Sequence, residues 1–184
     1  NEMTYWEQLA SVDMLEGKLE NALASLRVAF EVGLIQKEST IKSLVQLSIR
    51  QGVPENSARV LERSLKTGLV PEEKEDYGLM AHAWREAREY ENAIVAHETS
   101  ASLSGTGEPF VRVADIHMKF NRWSQAEEAL KKALDYDLSD EGKAWLLLGI
   151  TQSELLQFDA ARTSLRKARA QKSTSKSAQK WLRY

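Results

Sequence analysis

The chain has 184 residues, of which 42% are hydrophobic and 28% charged, and its formal net charge is -2. This composition matches a globular protein, and no apolar run approaches the ~20 residues that a membrane-spanning helix needs. The absence of cysteine excludes disulfides, thiolate nucleophiles and zinc-thiolate sites.

Apolar residues recur at helical spacing along the chain, and strand-like alternation is absent. The first pair of predicted helices covers residues 3–36 and turns at Gly17. The second covers 38–70, with Gly52-Val53-Pro54 between its helices, and the third covers 72–105. The fourth and fifth pairs cover residues 108–139 and 141–171. One more short helix is predicted over residues 173–184. The sequence therefore predicts an all-α protein, organised as a single domain over 1–184.

The five helix pairs share one register, with copies spaced 33 to 36 residues apart. In the fifth pair the repeated apolar and small positions are Trp145, Leu148, Gly149, Phe158, Ala161, Leu165 and Ala168. Small residues beside large ones allow two helices to cross closely. Because one pair cannot bury its apolar face alone, neighbouring pairs are expected to stack into a continuous core.

On these residues the chain resembles the tetratricopeptide repeat (TPR) family, whose units of about 34 residues follow the order Trp-Leu-Gly, Ala, Ala. The resemblance implies a right-handed α-solenoid of five TPR helix-turn-helix repeats plus a C-terminal capping helix. The chain departs from the pattern at Leu34 and Leu138, where the family has proline, and at Ser57 and Ser64 in small-residue positions.

The two ends of the chain differ. Ser173 or Thr174 can cap a terminal helix whose apolar face comprises Ala178, Trp181 and Leu182, and such a helix covers the last repeat. The first repeat has no equivalent cover. We therefore expect the chain to be a fragment of a longer protein, with an exposed face around Trp6.

Three phrases, at 29–47, 52–69 and 176–184, carry a narrower resemblance. They are similar to the C-terminal part of the periplasmic TPR proteins that accompany TonB and ExbB/ExbD energy-transduction systems in Gram-negative bacteria. The resemblance implies a periplasmic accessory of outer-membrane import with TonB-, ExbB- or ExbD-type partners, while a cytoplasmic location stays open. No site residues can be assigned from this resemblance, because the similar segments consist mostly of core and turn residues.

Motifs for catalysis and cofactor binding are missing. The histidines His82, His97 and His117 lack the i, i+4 spacing of a metal pair, and His97 and His117 fall at packing positions. No nucleophile elbow or phosphate-binding glycine loop occurs. Glu72-Glu73 and Glu127-Glu128 are interpreted as helix-start carboxylates that favour the macrodipole. We expect a non-enzymatic protein without a cofactor or a metal.

The first helices of the repeats supply the candidate binding groove. In a solenoid they line a concave surface, which binds extended segments of partner proteins. The predicted groove residues are Glu7, Ser11, Lys42, Gln46, His82, Arg85, Val111, Asp115, Leu146 and Ile150. They lack the Lys, Asn and Arg cluster with which some TPR domains clamp a terminal carboxylate. They also form no continuous basic track, so we expect no nucleic-acid partner.

Basic residues concentrate at the C-terminal end. Residues 160–184 hold eight basic side chains and no acid, whereas the remaining 159 residues hold 17 basic and 27 acidic ones, a balance of -10. The predicted basic patch comprises Arg162, Arg166, Arg169, Lys172, Lys176 and Lys180. It is either a solvated helix face or a surface for anionic lipid headgroups, an acidic partner or phosphate.

The leading hypothesis is a non-catalytic scaffold for protein or peptide partners, attached to a TonB-type system. A structural or dimerisation module of a larger protein is the alternative, which leaves a homo-oligomer open. An RNA-binding helical repeat is a minor alternative, since side chains on such repeats can each address one base.

Overall fold

The computed structural model describes residues 2–183, with side chains from 5 to 183. Tyr184, the end of the predicted capping helix, lies outside the described residues. All regular secondary structure in the described part is helical, which confirms the all-α prediction. The helices are α1 (Glu2–Leu15), α2 (Leu19–Glu31), α3 (Glu38–Arg50), α4 (Pro54–Lys66), α5 (Lys74–Glu86), α6 (Tyr90–Ser104), α7 (Glu108–Lys119), α8 (Trp123–Leu134), α9 (Glu141–Glu154), α10 (Phe158–Ala170) and α11 (Ser175–Trp181). Each predicted repeat corresponds to two consecutive helices, and α11 follows the fifth.

The chain divides into two compact units, Asn1–Ala93 and Ile94–Tyr184, and the division falls at a position within the sequence of α6. In the first unit α1 packs on α2, α2 on α3, α3 on α4 and α4 on α5. Its core contains the large repeated residues Leu26, Ile41, Leu44 and Leu61. Small residues at the helix crossings, such as Ala10, are fully buried as the pattern predicts.

The second unit is built in the same way from α7 to α11 and the later part of α6. Its core includes Phe110, Val113, Leu130, Leu148 and Leu165. The two helices of the fifth repeat cross closely at Gly149. A Cβ atom placed on Gly149 would lie 2.6 Å from Cγ of Leu165, so this crossing leaves no space for a methyl group.

The turn between the two helices of every repeat contains one residue in the left-handed region. Gly17 and Gly52 fill this position in the first two repeats, with φ of 76° and 72°. In the later repeats it is taken by Arg88, Asn121 and Leu156, with φ of 64°, 56° and 59°. Because a Cβ atom is disfavoured at such φ, the non-glycine turns carry backbone strain, most of all at the leucine.

The first repeat exposes residues whose counterparts in later repeats are covered. Val12 is 50% exposed, whereas Leu47, the equivalent residue of α3, is 6% exposed. Tyr5 is 62% exposed, whereas its counterpart Asp76 in α5 is buried. Trp6, around which the sequence predicts an exposed face, is itself half-buried. The uncovered side of α1 therefore centres on Tyr5 and Val12.

The terminal helix α11 packs on α10 and α9. Ala178 is fully buried, while Trp181 is 37% exposed. The predicted hydroxyl cap is wrong. Thr174 precedes α11 without a side-chain cap, because its Oγ1 donates instead to the carbonyl oxygen of Ala168 at 2.7 Å. The hydroxyl of Ser173 donates to Asp140 Oδ1 at 3.1 Å, which ties the turn before α11 to the start of α9.

Candidate binding surfaces

In the first unit, polar side chains connect the first helices of adjacent repeats. Thr40 Oγ1 in α3 donates a hydrogen bond to Glu7 Oε1 in α1 at 2.7 Å, and Lys37 Nζ lies 2.9 Å from Glu7 Oε2. The hydrogen bonds from Thr40 and then Lys37 hold the pKa of Glu7 below its usual range, against the opposing effect of burial. Glu7 is therefore an anion engaged with the next repeat.

Lys42 makes the corresponding connection from α3 to α5. Its Nζ lies 2.7 Å from Glu38 Oε1 on its own helix and 3.3 Å from Oδ2 of the buried Asp76. The pKa of Lys42 is raised, first by the hydrogen bond to Glu38 and then by the nearby Asp76 carboxylate, although burial opposes the shift. Lys42 thus neutralises a buried carboxylate as well as lying on the predicted groove.

These connections align α1, α3 and α5 and leave other predicted groove residues open to solvent. Ser11, Gln46 and His82 are exposed, one on each helix. Arg85 is half-buried, and its Nη2 lies 3.2 Å from Glu86 Oε1 and 3.5 Å from His82 Nδ1. The exposed side of these helices is called the first-helix face below. It presents a hydroxyl, an amide and an imidazole, one from each repeat.

The first-helix face of the second unit, formed by α7 and α9, is more apolar. Leu146 and Ile150 are half-buried on α9. Lys143 Nζ lies 4.0 Å from Oδ2 of the exposed Asp115, which connects α9 to α7. Val111 packs in the hydrophobic core of the unit and is buried, so little of its side chain is available to a ligand.

A pocket of about 580 Å³, which the repeat pattern does not predict, opens between α8 and α10, over α9. Trp145 and Leu148 form part of its wall, together with Lys131, Gln152 and Ser164. Nζ of Lys167 lies 3.7 Å from the centroid of the Trp145 ring, a cation-π contact. The repeat pattern predicts Trp145 and Leu148 as core residues. It therefore gives no indication that they also line a pocket.

Beside this pocket lies a buried polar network centred on Glu127. Lys131 Nζ lies 2.8 Å from Glu127 Oε1, and Gln152 Nε2 donates to the same oxygen at 3.2 Å. Ser164 Oγ donates in turn to Gln152 Oε1 at 2.7 Å. Burial raises the pKa of Glu127, but the hydrogen bonds from Lys131, Gln152 and Gln157 together outweigh it and hold the pKa below its usual range.

The interpretation of Glu127 as a helix-start carboxylate is therefore wrong. Glu127 lies one turn inside α8 and is buried, because its register position faces the next repeat. The equivalent positions of the first three repeats, Leu23, Ala58 and Ile94, are apolar and buried, so a glutamate in this register was the available signal for a buried, paired carboxylate.

Another pocket, of about 650 Å³, lies in the first unit, at the turns that join the first helix of a repeat to the second. Arg27, Arg59 and Arg88 line it together with Glu55 and Glu86. Arg59 Nη2 lies 2.8 Å from Glu55 Oε1, and its guanidinium stacks over the buried ring of Trp84. Arg59, Glu55 and Glu86 of this lining thus form ion pairs within the protein.

The basic patch is exposed throughout. The cations of α10 lie at Arg162, Arg166 and Arg169, and those at and after its end are Lys172, Lys176 and Lys180. Arg162 holds the register position of the buried Leu23 and Ala58, and Arg169 that of the buried Phe30 and Leu65. Charged residues thus replace apolar ones on the side of α10 where a further second helix would stack.

No helix within residues 2–183 is both long and apolar enough to cross a membrane. The same residues contain no cluster of three or more histidine, aspartate or glutamate side chains that could hold a metal ion. His97 is buried and His117 half-buried.

Several solved structures share this fold. A crystal structure of MamA aligns with a TM-score of 0.63 and 16% identity, over 87% of this chain and 92% of that chain. MamA from Desulfovibrio magneticus RS-1 aligns with a TM-score of 0.59 and 16% identity, over 91% and 93%. YrrB, a TPR protein with an unusual peptide-binding site, aligns with a TM-score of 0.65 and 13% identity, over 97% and 91%. No protein-family model and no curated protein sequence matches the chain. The chain therefore has the tetratricopeptide repeat fold, an α-solenoid, as the sequence pattern predicts.

Proposed function

We propose that the protein is a non-catalytic scaffold that binds an extended segment of a partner protein on its first-helix face. The observation that carries the proposal is the alignment of α1, α3 and α5 by the Glu7–Thr40 and Lys42–Asp76 contacts. This alignment fixes the spacing of the exposed polar groups before a ligand arrives. A pre-organised surface binds more tightly because less conformational entropy is lost on binding.

The two units would make different contributions to recognition. In the first unit Ser11, Gln46 and His82 can exchange hydrogen bonds with the backbone or polar side chains of a bound segment. In the second unit the half-buried Leu146 and Ile150 can contact an apolar side chain. Glu7 and Lys42 would act mainly as positioning residues, since their charges are already engaged by neighbouring repeats.

We further propose that the partner belongs to a TonB-type energy-transduction system and that the protein acts in the periplasm. The similarity of residues 29–47, 52–69 and 176–184 to TPR proteins that accompany TonB and ExbB/ExbD supports this assignment. The peptide-binding site of YrrB, a protein of the same fold, supports segment binding in general.

The chain's lack of cysteine allows a sharp test. Single cysteines at Gln46 and His82 in the first unit and at Ile150 in the second would each carry a thiol-reactive photo-crosslinker. Matched cysteines at Lys66 and Lys132, exposed on second helices, serve as controls. After irradiation in the envelope fraction of a Gram-negative host with a TonB system, crosslinked proteins are identified by mass spectrometry.

The proposal predicts crosslinks to TonB, ExbB or ExbD from the first-helix positions and none from the second-helix controls. Crosslinks to another protein from the first-helix positions would retain the scaffold and remove the TonB assignment. Crosslinks only between copies of this chain would favour the structural or dimerisation module. Equal crosslinking from both sets of positions would contradict a defined binding face.

A further inference from the structure

The cations of the C-terminal end differ from those of the first unit in their partners. At least eight of the eleven basic side chains in residues 1–93 form ion pairs at 4.0 Å or less. Within the described side chains of 160–183, by contrast, the structure contains no ion pair formed by Arg162, Arg166, Arg169, Lys172, Lys176, Lys180 or Arg183. Among the described residues, seven exposed positive charges therefore have no ion-pair partner within 4.0 Å.

The positions of these cations form two rows. Arg162, Arg166 and Arg169 lie at i, i+4 and i+7 along α10, so they share one side of that helix. Lys176 and Lys180 lie at i and i+4 on α11, which packs on α10. All exposed charged side chains within residues 160–183 are therefore basic.

An exposed aromatic ring accompanies the charges. Trp181 lies between Lys180 and Arg183 at the end of α11 and is 37% exposed, and the neighbouring Leu182 is half-buried. Tryptophan beside lysine and arginine is typical of surfaces that contact the headgroup region of a bilayer, because the ring joins an apolar body to a polar N–H. Exposed tryptophan without cations would not select for anionic lipids.

The arrangement distinguishes a lipid surface from an acidic peptide. A peptide site needs a groove or pocket that fixes side-chain register, and the pocket between α8 and α10 includes none of the seven cations. Dispersed cations on the outer sides of two helices suit a broad anionic surface, to which each adds electrostatic attraction without a defined geometry.

We propose that the basic terminal surface, formed by Arg162, Arg166, Arg169, Lys172, Lys176, Lys180 and Arg183 with Trp181, docks the protein on anionic phospholipid headgroups. The contact is peripheral: the cations face the headgroups and Trp181 enters the interfacial layer. It lies on α10 and α11 and shares no residue with the first-helix face.

The test measures co-sedimentation of the full chain with vesicles of phosphatidylcholine alone and of equal parts phosphatidylcholine and phosphatidylglycerol. Binding is expected only with phosphatidylglycerol, and it should weaken strongly between low salt and ~0.15 M salt as charges are screened. In the variant Arg162→Gln/Arg169→Gln/Lys176→Gln/Lys180→Gln we expect the partition coefficient to fall roughly a thousandfold at low salt.

A matched variant, Lys18→Gln/Arg27→Gln/Arg50→Gln/Lys66→Gln, removes the same charge from exposed sites of the first unit. It should keep nearly full vesicle binding, and circular dichroism checks that both variants are folded. Brominated lipid should quench the fluorescence of the unaltered chain but much less that of Trp181→Phe. Equal binding to both vesicle types, equal losses in the two charge variants, or binding to poly-glutamate without vesicle binding would each overturn the proposal.

Discussion

Replacing Gly149 by alanine tests how closely the two helices of the fifth repeat approach each other. An added Cβ would lie 2.6 Å from Cγ and 2.8 Å from Cδ2 of Leu165. Carbon atoms in favourable contact are separated by about 3.5–4.0 Å, so the methyl group is roughly 1 Å too close. The substitution therefore requires Leu165 or the helix α10 to move.

Two opposing effects determine how much Gly149→Ala changes the free energy of unfolding. Overpacking of a closed core costs about 1–3 kcal/mol, whereas alanine stabilises a helix interior by about 1 kcal/mol relative to glycine. We expect Gly149→Ala to lower the free energy of unfolding by about 1 kcal/mol, from the difference of these effects. In a Leu165→Ala background the crowding side chain is absent, so Gly149→Ala should raise the free energy of unfolding by about 1 kcal/mol.

Urea unfolding followed by circular dichroism gives the four free energies of this double-mutant cycle. The expected coupling energy between Gly149 and Leu165 is about 2 kcal/mol, well above the small deviation from additivity that mutations at independent sites show. Ala114→Gly, at the equivalent position of the fourth repeat, is the control and should be destabilising, because that crossing already accommodates a methyl group. An effect of Gly149→Ala that is the same in both backgrounds would refute the close-crossing argument.

Three further predictions concern the turns, the buried carboxylate and the uncovered side of α1. Leu156→Gly should raise the free energy of unfolding by about 1 kcal/mol in urea titrations, because it relieves left-handed strain, whereas Leu156→Ala, which retains Cβ, should not. Glu127 has a depressed pKa, so its stabilisation is present above the ordinary value of 4.5 and is lost as pH falls below it; thermal melts of Glu127→Gln should lose that part of the pH dependence. Val12→Lys should change the midpoint of urea unfolding little, whereas Leu47→Lys should cost several kcal/mol by burying a charge; equal effects would show that α1 is covered in solution.

The sequence predicted the candidate surfaces unevenly. It located Ser11, Gln46 and His82 on exposed positions, because the repeat register fixes which side of each first helix points away from the core. The same register placed Val111 on the groove, yet this residue is buried among the side chains of its unit. Burial at such positions depends on the size of neighbouring residues and on how closely the helices approach, and a periodic pattern contains neither quantity.

The pocket over α9 shows a second limit of sequence interpretation. Trp145 and Leu148 occupy core positions in the repeat pattern, and both also line the pocket between α8 and α10. Large side chains can fill the core and still form the floor of a surface depression where two second helices diverge. Only the packing of those helices shows which atoms remain accessible.

The sequence by itself determined the helical class, the five repeats and the turns at Gly17 and Gly52, because helix periodicity and glycine turns depend on residues close together in the chain. The tertiary structure decided which distant charges meet. Glu7 pairs with Lys37, Lys42 approaches the buried Asp76, and Glu127 is buried beside Lys131 and Gln152. Such contacts depend on the angle and separation of packed helices. Whether a charged side chain has a partner, and which one, is therefore decided by the packing of neighbouring repeats and not by the repeat pattern.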